Sequence, residues 1–201
     1  MKTGALIVAA GMSSRMNAFK PMLKIGSTTI VKHIISTFWQ AEIDTVVLVT
    51  GYQAETLEKH VAHMGVICLR NEAYATGEML DSAKIGWSCL KSQCDRVLLT
   101  PVDIPLFTCR TVRQLLQAEG PVVVPVCDKR EGHPLVLDTE IVEKLLSYTG
   151  EKGIAGAIAG SGLPKQLVQV EDEGILFDVD TPEDYERLLH RYNRKMFQLH
   201  L

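Results

Sequence analysis

The sequence lacks a basic excess, a paired cysteine motif and any long apolar run, and each deficit excludes something. Lysine and arginine number 21 against 24 aspartates and glutamates, for a formal net charge of -3. That balance excludes a mainly electrostatic nucleic-acid binder. The five cysteines, Cys68, Cys89, Cys94, Cys109 and Cys127, form no CxxC pair and are odd in number. They read as reduced thiols, neither a disulfide framework nor a zinc site. No segment approaches the roughly 20 apolar residues that span a bilayer. The run Ala5 to Ala10 is too short for the apolar core of a signal peptide, about 7–15 residues, and Arg15 and Lys20 lie on its wrong side. A cytoplasmic protein with neither a membrane nor a nucleic-acid partner is expected. Trp39 and Trp87 read as packing residues, not base-stacking platforms. With no repeat, low-complexity tract or linker, residues 1–196 are expected to form one domain and 197–201 a tail.

What is present is rhythm. ALIVAA (5–10), TVVLVTG (45–51), VICL (66–69), RVLLTPVD (96–103) and PVVVPV (121–126) are short apolar, β-branched runs. Between them lie helical patterns at 28–40, 54–64, 78–91 and after Thr108, the last stopped by Gly120. Near-continuous apolar strands alternating with amphipathic helices predict a mostly parallel sheet covered on both faces, an α/β fold of three layers. The rhythm then loosens into strands at 133–137 and 165–170 and short helices near 139–147 and 153–160. A final helix opens cleanly at TPEDY, with Thr181 as N-cap, Pro182 in the first turn and Asp184 as the capping-box acid.

Ligands of open α/β sheets bind beyond the carboxyl ends of the strands. The first strand ends at Gly11, and Ser13, Ser14, Arg15 and Lys20 follow at once. Glycine admits close backbone approach, Arg15 offers a planar fork and Lys20 a mobile charge, a composition suited to an anion. Neither GxxxxGK[ST] nor GxGxxG is present, so the loop alone equally describes a solvated turn with two surface cations. Asp103 stands just past another strand, before a proline, where it either fixes a turn or faces the same crevice. Asp178 and Asp180 occupy alternate positions of an extended segment and share a face. Together the three pieces describe a metal-nucleotide site.

Four motifs in order, VAAGMSSRMNAFKPML (8–23), VDIP (102–105), EGHPLVL (131–137) and FDVDTPEDY (177–185), give the chain a family resemblance. It resembles the molybdopterin nucleotidyltransferase-like family, and within it the molybdenum cofactor cytidylyltransferases, over about residues 4 to 192. The resemblance implies a Rossmann-like α/β/α fold of the nucleotide-diphospho-sugar transferase type. It implies transfer of NMP from an NTP to a phosphate-bearing acceptor such as molybdopterin, with release of pyrophosphate and possible delivery of the product to a molybdoenzyme. By position, Ala9, Ala10, Gly11 and Ser13 would line the nucleotide, joined by Gly77 and Ser82 from the segment 71–87. Arg15 and Lys20 would grip the triphosphate, and Asp103 and Asp180, with Asp178, would hold Mg²⁺. Gly132, His133 and Pro134 would face the acceptor. The family's Ala-Ala-Gly form accompanies CTP. Two features depart from the pattern. Asn17 stands where the family has glycine, and the segment 71–87 fits only with a slip that also offers Asp81.

Other readings compete. His60 and His63 share a helix face without a third metal ligand. The alternatives to the cytidylyltransferase are a nucleotidyltransferase for a sugar phosphate or other small phosphate, and a non-catalytic chaperone that binds a nucleotide or pterin and hands it on. No side chain is assigned as a nucleophile, because phosphoryl transfer of this kind rests on positioning and charge.

Overall fold

The computed structural model describes residues 1–16 and 18–198, with side chains through Arg194. Asn17 and residues 199–201 of the expected tail lie outside the described residues. In chain order, β1 (Thr3–Ala9) is followed by a hairpin of β2 (Lys24–Ile25) and β3 (Thr28–Thr29) and by helix α1 (Ile30–Gln40). Then come β4 (Thr45–Thr50), α2 (Ala54–Val61), β5 (Ile67–Arg70), α3 (Met79–Leu90), β6 (Arg96–Pro101) and α4 (Cys109–Gln117). The second half holds β7 (Val122–Cys127), β8 (Arg130–Glu131), β9 (Leu135–Asp138), α5 (Thr139–Leu146), α6 (Gly153–Gly160), β10 (Lys165–Gln169) and α7 (Pro182–Gln198). Because α7 runs through Gln198, residues 197 and 198 are helical rather than tail.

The main sheet has the order β10-β7-β9-β6-β1-β4-β5, with β8 paired to β7. Its path is parallel except for β9, which runs antiparallel to both β6 and β7. The reversal accounts for the loosened rhythm, since a strand inserted between two parallel neighbours needs no crossover helix of its own. β1 is buried along its whole length. Ala5, Ile7 and Ala9 pack into one apolar cluster, Leu6 and Val8 into the other. Helices α1, α2, α4 and α7 contribute to the first cluster, α3, α5 and α6 to the second. Burial on both faces is why these strands read as unbroken apolar runs.

Two features of this frame place the site. β1 pairs in parallel with β4 on one side and β6 on the other. The chain therefore switches direction of travel across the sheet at β1, where a crevice opens. The register Val8↔Pro101 brings the ends of β1 and β6 level. The strand expected over 96–103 stops at Pro101, which leaves Asp103 in the turn beyond it.

The segment before α7 is not a regular strand. A 3₁₀ turn over Glu173–Leu176 gives way to irregular chain, because the segment is pinned from both ends. Asp172 accepts hydrogen bonds through Oδ2 from the Thr108 backbone (2.8 Å), the Thr108 hydroxyl (2.9 Å) and the Thr111 hydroxyl (2.6 Å). Its Oδ1 accepts from the Gly174 amide at 3.1 Å. Further on, the Val179 amide donates to the Asp103 carbonyl at 3.0 Å, and the Val179 side chain is fully buried. The expected alternation survives: Val179 points inward and Asp178 and Asp180 do not. The cap at Thr181 also forms as read. The Asp184 amide donates to Thr181 Oγ1 at 3.2 Å and the Thr181 amide donates to Asp184 Oδ2 at 2.9 Å.

Asp172 is thus the tie between the N-terminus of α4 and the segment carrying Asp178 and Asp180. Asp172→Ala is expected to cost about 1.5–3 kcal/mol, the range for hydrogen bonds to a charged group. Urea unfolding at neutral pH measures it; a change below about 0.5 kcal/mol would remove Asp172 from this role.

Candidate active site

A cleft of about 240 Å³ opens where β1 and β6 end. Its floor and walls include Ala9, Ala10, Gly11, Ser13, Arg15, Lys20, Gly77, Ser82, Asp103 and Asp180. The residues singled out for a nucleotide therefore converge on one cavity from four stretches of chain. Gly11 has no left-handed φ, and a Cβ added there would meet nothing within 4 Å. Neither backbone strain nor packing requires glycine at this point; what glycine keeps is room for a close approach. Ser13 takes a left-handed φ of 53° and starts the 3₁₀ turn Ser14–Met16, which directs Arg15 to the cleft.

The cations differ. Arg15 is 71% exposed, whereas the Lys20 side chain is only 7% exposed. A lysine so buried needs a partner. Lys20 Nζ lies 2.9 Å from Asp180 Oδ1 and 3.6 Å from Asp103 Oδ2. Arg15 reaches the other oxygen of Asp180 at 2.7 Å.

Asp103, Asp178 and Asp180 each place a carboxylate oxygen within 4.8 Å of the others'. Burial pushes the Asp103 carboxyl up, Lys20 pulls it down, and Asp180 adds to the rise. Burial, then the charges of Asp103 and Asp180, push Asp178 up to about 6. Asp184 stands apart. The Thr181 hydroxyl, and then Arg187, hold its carboxyl down at about 2. With Asp180 N and Thr181 as its donors, Asp184 serves the cap of α7. Three carboxylate oxygens without a thiolate or imidazole form a hard donor set suited to Mg²⁺ or Mn²⁺ rather than zinc. The set fits such an ion in a second respect: it already draws a buried ammonium, Lys20, into its midst. Among the described residues no other group of three metal-ligating side chains occurs. His60 instead pairs its Nε2 with the Thr29 hydroxyl at 2.9 Å.

The segment 71–87 is held by its own hydrogen bonds. Asn71 donates from Nδ2 to Ser82 Oγ (2.9 Å), and its Oδ1 accepts from the Ala73 amide (3.0 Å). Gly77 and Ser82 line the cleft. Asp81 does not; its Oδ2 accepts from the Glu78 amide at 2.8 Å and caps α3. Tyr74, Glu78 and Met79 also line the cleft and were missed, although they lie within the stretch singled out.

Gly132, His133 and Pro134, expected to face the acceptor, do not line this cleft. Gly132 and Pro134 are buried. A Cβ on Gly132 would come within 2.5 Å of the Ile175 carbonyl oxygen, which also accepts from the His133 amide at 3.0 Å. Gly132 thus lets β9's approach pack against the 173–176 turn, a positioning duty. His133 Nδ1 lies 3.4 Å from the Leu99 carbonyl oxygen. Burial lowers its imidazole pKa, countered by that carbonyl and by Asp103.

Comparison with known proteins agrees with this geometry. The family model of the MobA-like NTP transferase domain matches residues 5–170. A molybdenum cofactor cytidylyltransferase from Escherichia coli K12 is 28% identical over 93% of this chain and 95% of its own length. Among solved structures, a nucleotidyl transferase from Methanothermobacter superposes with a TM-score of 0.85 at 21% identity, covering 96% of this chain and 99% of that one. A Mycobacterium tuberculosis H37Rv protein solved in complex with manganese superposes with a TM-score of 0.79 at 22% identity, covering 94% and 99%. The two structures share the fold.

The raised Asp178 carboxyl carries a stability consequence. Between the ordinary aspartate value and about 6 the folded chain binds a proton that the unfolded chain has lost, so stability falls as pH rises through that window. In metal-free protein, Asp178→Asn is expected to raise Tm at pH 7.5, with the gain shrinking below pH 6 and absent near pH 4. Calorimetry across that range checks it; a gain independent of pH would contradict the assignment.

Proposed function

The chain belongs to the MobA-like NTP transferase family, and on that premise we propose that it transfers CMP from CTP to a phosphate-bearing acceptor of the molybdopterin type, releasing pyrophosphate. The observation that carries the reading is the convergence of Lys20, Arg15, Asp103 and Asp180 at the mouth of a cleft floored by Ala9–Gly11. The name of the Escherichia coli relative supports both the cytidine and the acceptor, and its match runs nearly end to end.

In this reading Ala9, Ala10, Gly11 and Ser13 take the nucleoside end, with Gly77 and Ser82 opposite. Arg15 and Lys20 exchange Asp180 for triphosphate oxygens and stabilise charge on the transferring group and the departing pyrophosphate. Asp103 and Asp180, with Asp178, hold Mg²⁺, which when bound supplies charge neutralisation between the reacting phosphates. The acceptor phosphate oxygen attacks the α-phosphorus and the α–β bond breaks in line. No proton need move, so His133 has no acid-base duty. The manganese complex of the mycobacterial protein supports a divalent ion here, and the hard donor set supports Mg²⁺. Positioning the reactants accounts for the remaining catalysis.

Two experiments test the proposal. Pyrophosphate release is measured with each of four NTPs against molybdopterin, its molybdenum form and a panel of sugar phosphates. Turnover with CTP and a pterin acceptor is expected; turnover only with a sugar phosphate would replace the acceptor, and tight binding without turnover would make the chain a carrier. Asp103→Asn is expected to keep its Tm within about 2 °C and to lose at least a hundredfold in metal-dependent rate. Unchanged turnover would remove Asp103 from the metal site.

A further inference from the structure

A second, more open recess of about 530 Å³ adjoins the nucleotide cleft. The two cavities share Arg15 and Asp180. Asp103 lines only the first and Asp178 only the second, so the acidic triad forms the ridge between them. The outer wall of the recess carries three more arginines, Arg130, Arg187 and Arg191.

The fold fixes all three. Arg130 opens β8 after the two-residue turn Asp128–Lys129, both residues left-handed with φ of 49° and 63°. Two such residues in a two-residue hairpin match the twist of the strands, which makes the turn tight. Arg187 and Arg191 lie one turn apart on α7. Asp184 holds Arg187, and Glu173 holds Arg191, which also sits over the Phe177 ring at 5.7 Å. Arg130 is exposed and makes no salt bridge among the described residues. A guanidinium presents five N–H donors, and one carboxylate leaves several of them free for a second anion.

We propose that this recess is the subsite for the acceptor's phosphate monoester, with Arg130, Arg187 and Arg191 as the residues that grip it. The inference rests on the nucleotidyltransferase reading and deepens it. On that reading the carboxylates in the recess are committed: Asp178 and Asp180 would hold the ion, Asp184 serves the helix cap and Glu173 pairs with Arg191. None is left as a general base, so the nucleophile must arrive ionised. A phosphate monoester does so at neutral pH, whereas an alcohol or amine does not. Seated there, the phosphate faces the α-phosphorus across the Asp178–Asp180 ridge. Its oxygen forms the new P–O bond as the α–β bond breaks, and the electron pair leaves with pyrophosphate. Fork-shaped donors also favour a phosphate over a point anion.

The test uses Mn²⁺ as a relaxation probe. The full chain is titrated with Mn²⁺, the non-hydrolysable α,β-methylene CTP and phenyl phosphate, and ³¹P relaxation is followed for both phosphorus compounds. With wild-type protein, both are expected to relax faster. Arg130→Ala and Arg191→Ala should each cut the phenyl phosphate enhancement at least fivefold and leave that of the nucleotide unchanged, with circular dichroism showing both variants folded. Arg130→Lys should recover only part of the effect. An enhancement of phenyl phosphate that is absent in wild type, or equal in wild type and both alanine variants, overturns the proposal while nucleotide relaxation keeps the transferase reading. Loss of nucleotide relaxation in wild type overturns that reading and this one with it.

Discussion

Three carboxylates within 4.8 Å of one another repel, and the rest of the site is arranged around holding them there. Burial first, and this repulsion after it, push the Asp103 and Asp178 carboxyls up. A buried ammonium offsets part of it: Lys20, nearly inaccessible, sits against Asp180 and near Asp103. Backbone supplies the remainder. The Val179 amide ties to the Asp103 carbonyl, Asp172 ties the chain upstream to α4, and the Thr181–Asp184 box fixes the chain downstream. Each tie lies outside the triad, so the strain of gathering like charges is borne by groups that need not touch a ligand. Such displacement of cost is usual where function demands an unfavourable arrangement.

On the proposed reading, Lys20 and Arg15 would serve two anions in turn. In the structure both lie against Asp180. A cation at the triad and a polyphosphate at the cleft would take over those two partnerships together. On that reading binding of either would favour the other through shared charges, a coupling free energy that works in both directions.

Much of the fold was legible because it rests on local periodicity. Apolar runs such as ALIVAA and PVVVPV are buried on both sheet faces, and helices such as α4 carry a cap, Thr108, that the sequence displays. Asp103, Asp178 and Asp180 were legible as a group, since each sits next to a strand end or helix cap with a readable signature. What stayed hidden is long-range. Asp172 binds Thr108 and Thr111, more than 60 positions away, and nothing in its neighbourhood announces this. Gly132 reads as a residue facing the acceptor, and its close contact with the Ile175 backbone goes unannounced, because glycine signals close approach without saying to what. Arg130, Arg187 and Arg191 look like ordinary surface charges until the hairpin after β7 and helix α7 are folded against each other. The antiparallel β9 escaped because its direction depends on its neighbours, not on its residues.

The bond between Lys20 and Asp180 joins positions 160 apart in the chain. Chains leave the ribosome N-terminus first. The glycine loop, all eight strands of the main sheet and Asp103 are therefore synthesised before the segment that completes the acidic triad exists. Until then Lys20, just beyond the central strand β1, has Asp103 but not Asp180 as a counter-charge. The order of synthesis thus makes the acidic triad the last part of this cleft to be completed, and a chain broken off before Asp178 lacks two of its three carboxylates.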